Sequence, residues 1–435
     1  MKKIKLDFLK YTSLNILAMV GVSIYILADT YFISKALGAI GLTALNLGIV
    51  IFTLIQSVGL MVGIGGAIDF TLRKSENNNS QKTSFQSTLF IGLLFSAIFL
   101  LISFFFTTQL SLFLGADEDT LALTRIYIST ILGFSPFFIL NNIVLAFVRN
   151  DNGPRLAMIA MIASSFSNII LDYIFMFPLS MGIFGAALAT GLSPIISLSI
   201  LTTHFKYSSK SLRLYKYKLE IKRLVRIMIL GLPSFATEFA SSITLFTFNI
   251  VILKIAGNIG VAAYGVIANV AIIATALFTG LAQGIQPLVS NYYAKSDRNG
   301  LRTILNYSLV TTFGLSITIY LIVVIFSNNI VSIFNGQNNE VLATIAEVGL
   351  KIYFAGFVFA GINIVLISFF SATSNIIKAM VISILRSSLL LIPVVLLLSA
   401  LFGIYGVWVS FVITELGVTV LTYLTYSNQL KEKNR

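Results

Sequence analysis

The stretch Gly182-Ile-Phe-Gly185 returns as Gly403-Ile-Tyr-Gly406, and Asn142-Ile-Val-Leu145 returns as Asn363-Ile-Val-Leu366, both after 221 residues. The same offset of 221 links Gly59-Leu-Met-Val-Gly63 with Gly280-Leu-Ala-Gln-Gly284, Lys74 with Lys295, and Gly115 with Gly336. Near the start of each half the offset is 219, pairing Gly38 with Gly257 and Gly41 with Gly260 across a two-residue indel. One nearly constant offset over separated matches is the mark of internal duplication. The chain therefore reads as two related halves, and what each half is follows from the residues between the matches.

Those residues are overwhelmingly apolar. Of 435 residues 57% are hydrophobic and 10% charged, where a soluble domain carries about a quarter charged. Apolar stretches recur at 14–34, 44–70, 85–107, 122–147, 156–178, 183–204, 227–252, 262–290, 303–326, 341–370, 376–401 and 404–426. Each suffices to cross a hydrocarbon core of about 30 Å. Lipid offers the backbone no hydrogen-bond partner, so such spans fold as helices. A β-barrel would instead show short alternating segments. The predicted fold class is an all-α integral membrane protein of about twelve transmembrane helices, in two parallel six-helix repeats around a central cavity. An even number of helices per repeat gives both halves the same orientation, related by an axis along the membrane normal. The expected division is an N-terminal lobe over 1–205, a basic linker over 206–222 and a C-terminal lobe over 223–435.

Charge sets the expected orientation. With the N-terminus inside, the inner segments hold 24 of the 29 Lys and Arg residues, eight of them between Lys206 and Arg226. The outer loops hold Asp117, Glu118 and Asp119 and few cations. This positive-inside bias places both termini in the cytoplasm of a cell-membrane protein. The linker composition also suits an anionic lipid surface. The net charge of +13 is thus orientation charge, and no nucleic-acid partner is expected. The basic start, Met1-Lys2-Lys3-Ile4-Lys5, leads into an apolar run with no small-residue cleavage site, which reads as a retained helix. There is no cysteine, and His204 is the one histidine, so thiol chemistry and a histidine-built zinc site are excluded. No GxSxG, HExxH or Walker lysine motif appears, and no enzymatic activity or cofactor is expected.

Ionisable groups within the spans are costly and are the first functional candidates. They are Asp29, Asp172, Glu238, Glu415 and Arg386. Asp29 and Asp172 both fall roughly 22–24 Å from the inner face at 1.5 Å per residue. Asn168 lies four residues before Asp172, on the same helical face. Thr190 reaches a similar depth in the sixth span. Two carboxylates, an amide and a hydroxyl could coordinate Na⁺. The carboxylates could equally share a proton, because two buried like charges do not readily both ionise.

Ala28-Asp29-Thr30 followed by Gly38, the run Asn168-Ile-Ile-Leu-Asp172, and Gly182-Ile-Phe-Gly185-Ala-Ala-Leu-Ala-Thr190 resemble the multidrug and toxic compound extrusion family, in its DinF-like branch. The resemblance covers nearly the whole chain. It implies two lobes around a V-shaped cavity and export of drugs driven by H⁺ or Na⁺. It also implies a coupling network at Asp29, Tyr127, Asn142, Asn168, Asp172 and Thr190. One position departs from the pattern: family members often carry proline near the start of the first helix, where this chain has Leu14. In the second half Glu238, five residues after Pro233, is similar to a seventh-helix acid of other branches. Glu415 and Arg386 lie at comparable depth and would form a salt bridge. Glu347 with Lys351, and Asp69 with Arg73, are i,i+4 pairs expected at helix ends.

The leading expectation is a monomeric, cation-coupled antiporter for cationic or amphipathic drugs. The alternative from the same superfamily is a lipid-linked oligosaccharide flippase, for which a strongly cationic cavity would be expected. One intramembrane arginine against four carboxylates favours cationic cargo. The 36 Phe, 17 Tyr and 9 Met could line an adaptable cavity, although most must face lipid or pack helices.

Overall fold

In a computed structural model of the chain, residues 2–73, 78–207, 220–334 and 339–432 are described. The linker residues 208–219, Lys74 and Gly336 lie outside them. All regular structure among the described residues is helical. The membrane-crossing helices are α1 (Lys3–Gly38), α2 (Ile40–Leu72), α3 (Thr83–Phe105), α4 (121–150), α5 (Pro154–Met176), α6 (Gly182–Lys206), α7 (Ile221–Gly257), α8 (Ile259–Ala294), α9 (Arg298–Ile325) and α10 (Glu340–Ala372). The stretch Ile376–Leu424 has 49 residues, about 73 Å at 1.5 Å per residue, too long for a single crossing. Gly403 leaves helical conformation at φ 58°, ψ −136° and divides it into α11 (376–402) and α12 (404–424). The count is therefore twelve, six in each half.

The duplication is written in the backbone. Gly38 and its counterpart Gly257 have φ of 62° and 61°, and Gly182 and Gly403 have φ of 59° and 58°. A positive φ is strained for residues with a Cβ and free for glycine, so at Gly38, Gly257 and Gly403 one apolar stretch passes into the next without a loop. The side chains agree: Gly182 sits under Leu37 in the first half and Gly403 under Ile255 in the second. The turns Asn152 and Ser374, after α4 and α10, are also matched, with φ of 64° and 58°.

Several elements depart from the expected spans. α1 extends from Lys3 to Gly38, well beyond 14–34, because its basic first turns continue the helix. It runs unbroken through Leu14. α4 bends by 46° between Gly133 and Ser135, where Pro136 at the start of the second segment lacks an N–H to continue the ladder. In α10 a 3₁₀ turn at Phe354–Gly356 stands at the equivalent place. α11 carries a π-turn over Leu385–Leu389. Two short helices, Thr107–Phe113 and Ser327–Phe334, follow α3 and α9 and were not foreseen. Phe104 and Phe113 beside the first are 82% and 86% exposed, as expected of aromatic anchors at a bilayer edge. In the turn after it, Asp117 accepts from the Thr120 hydroxyl at 2.6 Å and N–H at 2.9 Å. These bonds hold its carboxyl below the usual range.

Each half has its own buried core. One contains residues of α1 to α6, among them Ile33, Ile55, Tyr127 and Phe147. The other contains Phe248, Tyr264, Tyr353, Trp408 and Phe411 of α7 to α12. The first turns of α1 and α7 cross over. Phe8, Tyr11 and Ile16 pack with α8, α9 and α10, while Leu224, Ile227, Leu232 and Phe235 pack on the first-half core. Farther along, Ile33 and Phe248 belong to their own halves. The halves are thus laced together through the first turns of α1 and α7.

Candidate functional site

The site is set by how α1 lies along α5. A Cβ on Gly21 would touch Ile162 and Ser165, and Phe32 packs on Tyr173 and Phe177. Between these contacts the helices advance together, which brings Asp29 level with Asp172. Asp29 is also within electrostatic reach of Asp172. Asp172 is fully buried. One carboxylate oxygen of each, Oδ1, is enclosed and has no hydrogen-bond partner. Such an orphaned acceptor in low dielectric is costly unless something positive or a proton donor meets it.

Asn168, also fully buried, links this pair to α6. With its amide oriented so that both ends are satisfied, it donates to Asp172 Oδ2 at 3.1 Å and accepts from the Thr190 N–H at 3.3 Å. Tyr127 is 2% exposed and lies within electrostatic reach of Asp29 and Asp172. Its ring fits against α2 at Gly48, where a Cβ would collide with it. The predicted set Asp29, Tyr127, Asn168, Asp172 and Thr190 thus converges between α1, α4, α5 and α6. Asn142 directs its amide to Gln56 Oε1 at 2.6 Å and to the Phe138 carbonyl at 3.1 Å.

The sequence reading missed Tyr25. It is one helical turn before Asp29, and Asp29, Asp172 and Glu238 all act on it electrostatically. The signal was available, because i and i+4 share a helical face. Glu238, on α7 just beyond the turns that pack on the first half, is therefore within electrostatic reach of Tyr25 as well. Gln56, the partner of Asn142, was also unremarked.

The second half does not repeat the site. At offset 219 the counterpart of Asp29 is Phe248, and at 221 the counterparts of Asn168, Asp172 and Thr190 are Leu389, Pro393 and Phe411. Phe248 and Phe411 instead build an aromatic core in which Phe411 stacks on Tyr353 at 4.1 Å and Phe248 on Tyr264 at 5.4 Å. The charges of this half sit elsewhere. Arg386 reaches Glu415 through Nη2 at 2.6 Å and Nε at 3.1 Å. Asn363 donates to the other Glu415 oxygen at 2.7 Å and accepts from Thr419 at 3.1 Å. The expected salt bridge is present, and the π-turn that carries Arg386 positions it. Glu347 and Lys351 pair at 2.6 Å. Asp69 pairs with Arg73 and also with Arg226 of the opposite half, each at 3.2 Å.

A duplicated bundle of membrane-crossing helices, with an acidic cluster buried in one half, defines a two-lobed integral membrane protein. Residues 15–174 and 233–397 match the MatE family, and the chain belongs to that family. It is 28% identical over 411 residues, 92% of this chain and 89% of the relative, to the multidrug export protein MepA of Staphylococcus saprophyticus. It is 26% identical over 409 residues, with the same coverage, to MepA of Staphylococcus aureus strain N315. In fold it is similar to an outward-facing multidrug resistance MATE transporter of the MOP superfamily (TM-score 0.93, 20% identity, 99% of this chain and 96% of that one). It is also similar to a MATE protein in a bent conformation (TM-score 0.87, 19% identity, 99% and 96%). A third neighbour, a MOP superfamily transporter from Pyrococcus furiosus (TM-score 0.90, 20% identity, 99% and 97%), is described as having a binding pocket of reversed polarity.

Proposed function

We propose that the chain is a secondary antiporter that exports cationic or amphipathic small molecules by alternating access, driven by H⁺ or Na⁺. One observation carries the reading: Asp29 and Asp172 lie within electrostatic reach of each other, each with an enclosed oxygen that has no partner. A proton can be held between two such carboxylates. Na⁺ can be met by the same oxygens with the Asn168 carbonyl and Thr190 hydroxyl completing the shell. The relatives named multidrug export proteins and Glu238, an intramembrane acid of α7 with no ion-pair partner among the described residues, support drug-like cations as cargo. In this reading the chain is a multi-pass cell-membrane protein that works as a monomer, with the laced end and both termini in the cytoplasm.

The test is counterflow of a fluorescent organic cation in proteoliposomes, with Na⁺ and pH gradients imposed separately. Asp172→Asn is expected to abolish gradient-driven uptake while leaving expression and helical content at the parent level. Undiminished gradient-driven transport by a well-assembled Asp172→Asn protein would remove the acid pair from the coupling.

A further inference from the structure

The seam that laces the halves together contains two charged features of opposite tendency. The first is Asp69 on α2, fully buried. It accepts from the Ser84 hydroxyl at 2.5 Å and pairs with Arg73 of its own half and Arg226 of the other. Beside it, Arg223 on α7 donates to Thr83. These contacts hold α7 to the first half.

The second is Arg149, at the end of α4. It is 5% exposed, yet each partner given to its guanidinium is neutral. Nε donates to the Leu145 carbonyl at 3.2 Å, and Nη1 donates to Asn15 at 3.1 Å and to Gln283 of α8. Among the described residues no carboxylate lies within ion-pair distance of it. Its neighbour Asn150 bonds Gln286 of α8 at 3.0 Å and takes the Thr71 hydroxyl at 2.8 Å. A cavity of about 90 Å³ lined by Asp7, Tyr11, Asn150 and Asn291 lies at the same seam.

A buried guanidinium without a counter-charge is destabilising, and the penalty falls when water reaches it. Separating the halves at this end withdraws Gln283 and admits water to Arg149. Separation also breaks Asp69–Arg226, but Arg73 stays with Asp69, so the carboxylate is not orphaned.

We propose that the seam is a balanced latch, in which the Asp69–Arg226 ion pair holds the halves closed while the uncompensated charge of Arg149 biases them toward opening. A contact that only held would trap one state. Opposed contributions bring the two states within reach of a ligand's differential affinity. The latch rests on the alternating-access reading, but its test needs neither drug nor gradient.

The chain has no cysteine, so one introduced at Thr12, a 4% exposed residue whose backbone packs on Gly284 of α8, reports alone. The measurement is the rate of maleimide labelling of Thr12→Cys in the full-length protein in liposomes. Arg226→Gln should raise the rate roughly tenfold, and Arg149→Gln should lower it by a similar factor, if each change moves the balance by about 1.4 kcal/mol. Arg149→Lys, which keeps the charge, should label nearer the parent than Arg149→Gln does, and the double variant should fall between the singles. Gln283→Glu, which supplies the missing carboxylate, should also slow labelling, and it decides the matter if Arg149→Gln does not assemble. Faster or unchanged labelling with Arg149→Gln, or with Gln283→Glu, overturns the proposal. A latch that responds as stated in a protein that moves no cation would leave this inference standing and remove the antiport reading.

Discussion

Arg386 and Glu415 are the clearest case of an intramembrane charge serving structure. Glu415 is 2% exposed, both of its carboxylate oxygens are bonded, and the pair joins α11 to α12 with α10 alongside. Removing one member leaves the other buried and unpaired, which costs about 3–5 kcal/mol in soluble proteins. Arg386→Met should therefore lower the thermal midpoint of the purified protein markedly. Arg386→Met combined with Glu415→Leu should recover most of the loss. A single variant that melts with the parent would show that the pair does not hold the second half together. Glu238 is the opposite case, an acid on α7 with no ion-pair partner among the described residues. Glu238→Gln is expected to change the set of cations carried more than the dependence on Na⁺ or pH, read as the ratio of transport rates for several dyes. Loss of cation dependence with an unchanged dye profile would move coupling into the second half.

At the scale of elements, backbone also comes into close contact across the halves, beside the side-chain pairs. Lipid chains are as apolar as leucine, so membrane helices gain affinity by close approach at small residues. A Cβ on Gly231 of α7 would strike the Met61 carbonyl of α2, and one on Gly65 would strike the Ile227 carbonyl. On the other crossing, a Cβ on Gly280 or Gly284 of α8 would meet the backbone of Ile16 or of Thr12 of α1 at 2.6 and 2.8 Å. Gly231→Val has no space to relax into, because the obstacle is backbone. It should open the seam, raising protease and maleimide access at this end, while substitution at Gly314, whose Cβ would meet nothing within 4 Å, should be tolerated. Equal access in the two variants would mean that close approach does not hold the seam.

For the whole molecule, the proposed antiport requires the acid cluster of one half to communicate with the cargo path through how α1 packs. Moving a two-state balance from 1:99 to 99:1 takes roughly 5.5 kcal/mol of differential affinity. Neutralising or metallating the Asp29–Asp172 pair removes a like-charge repulsion exactly where α1 meets α5, so the cation favours a different packing from the empty pair. Cation and drug are then expected to compete, each weakening the other by the same factor, since linkage is reciprocal. Drug affinity of the purified protein, followed across separate pH and Na⁺ series, should fall as the coupling cation binds, and Asp29→Asn should flatten that response. An affinity indifferent to both cations would rule the competition out.

The duplication, the helical class, the helix count and the residues Asp29, Asn168, Asp172 and Thr190 were all legible in the amino-acid order. Hydropathy, offset and i,i+4 spacing are properties of the chain alone. Other features depended on which helix lies against which. That α1 and α7 begin on the opposite half, that α1 lies along α5, and that Asn142 turns to Gln56 come from how the helices pack. That Arg149 is buried beside amides alone is likewise a fact of the assembled seam. Residues distant in sequence meet only when backbones close to contact distance, and no local pattern encodes that meeting.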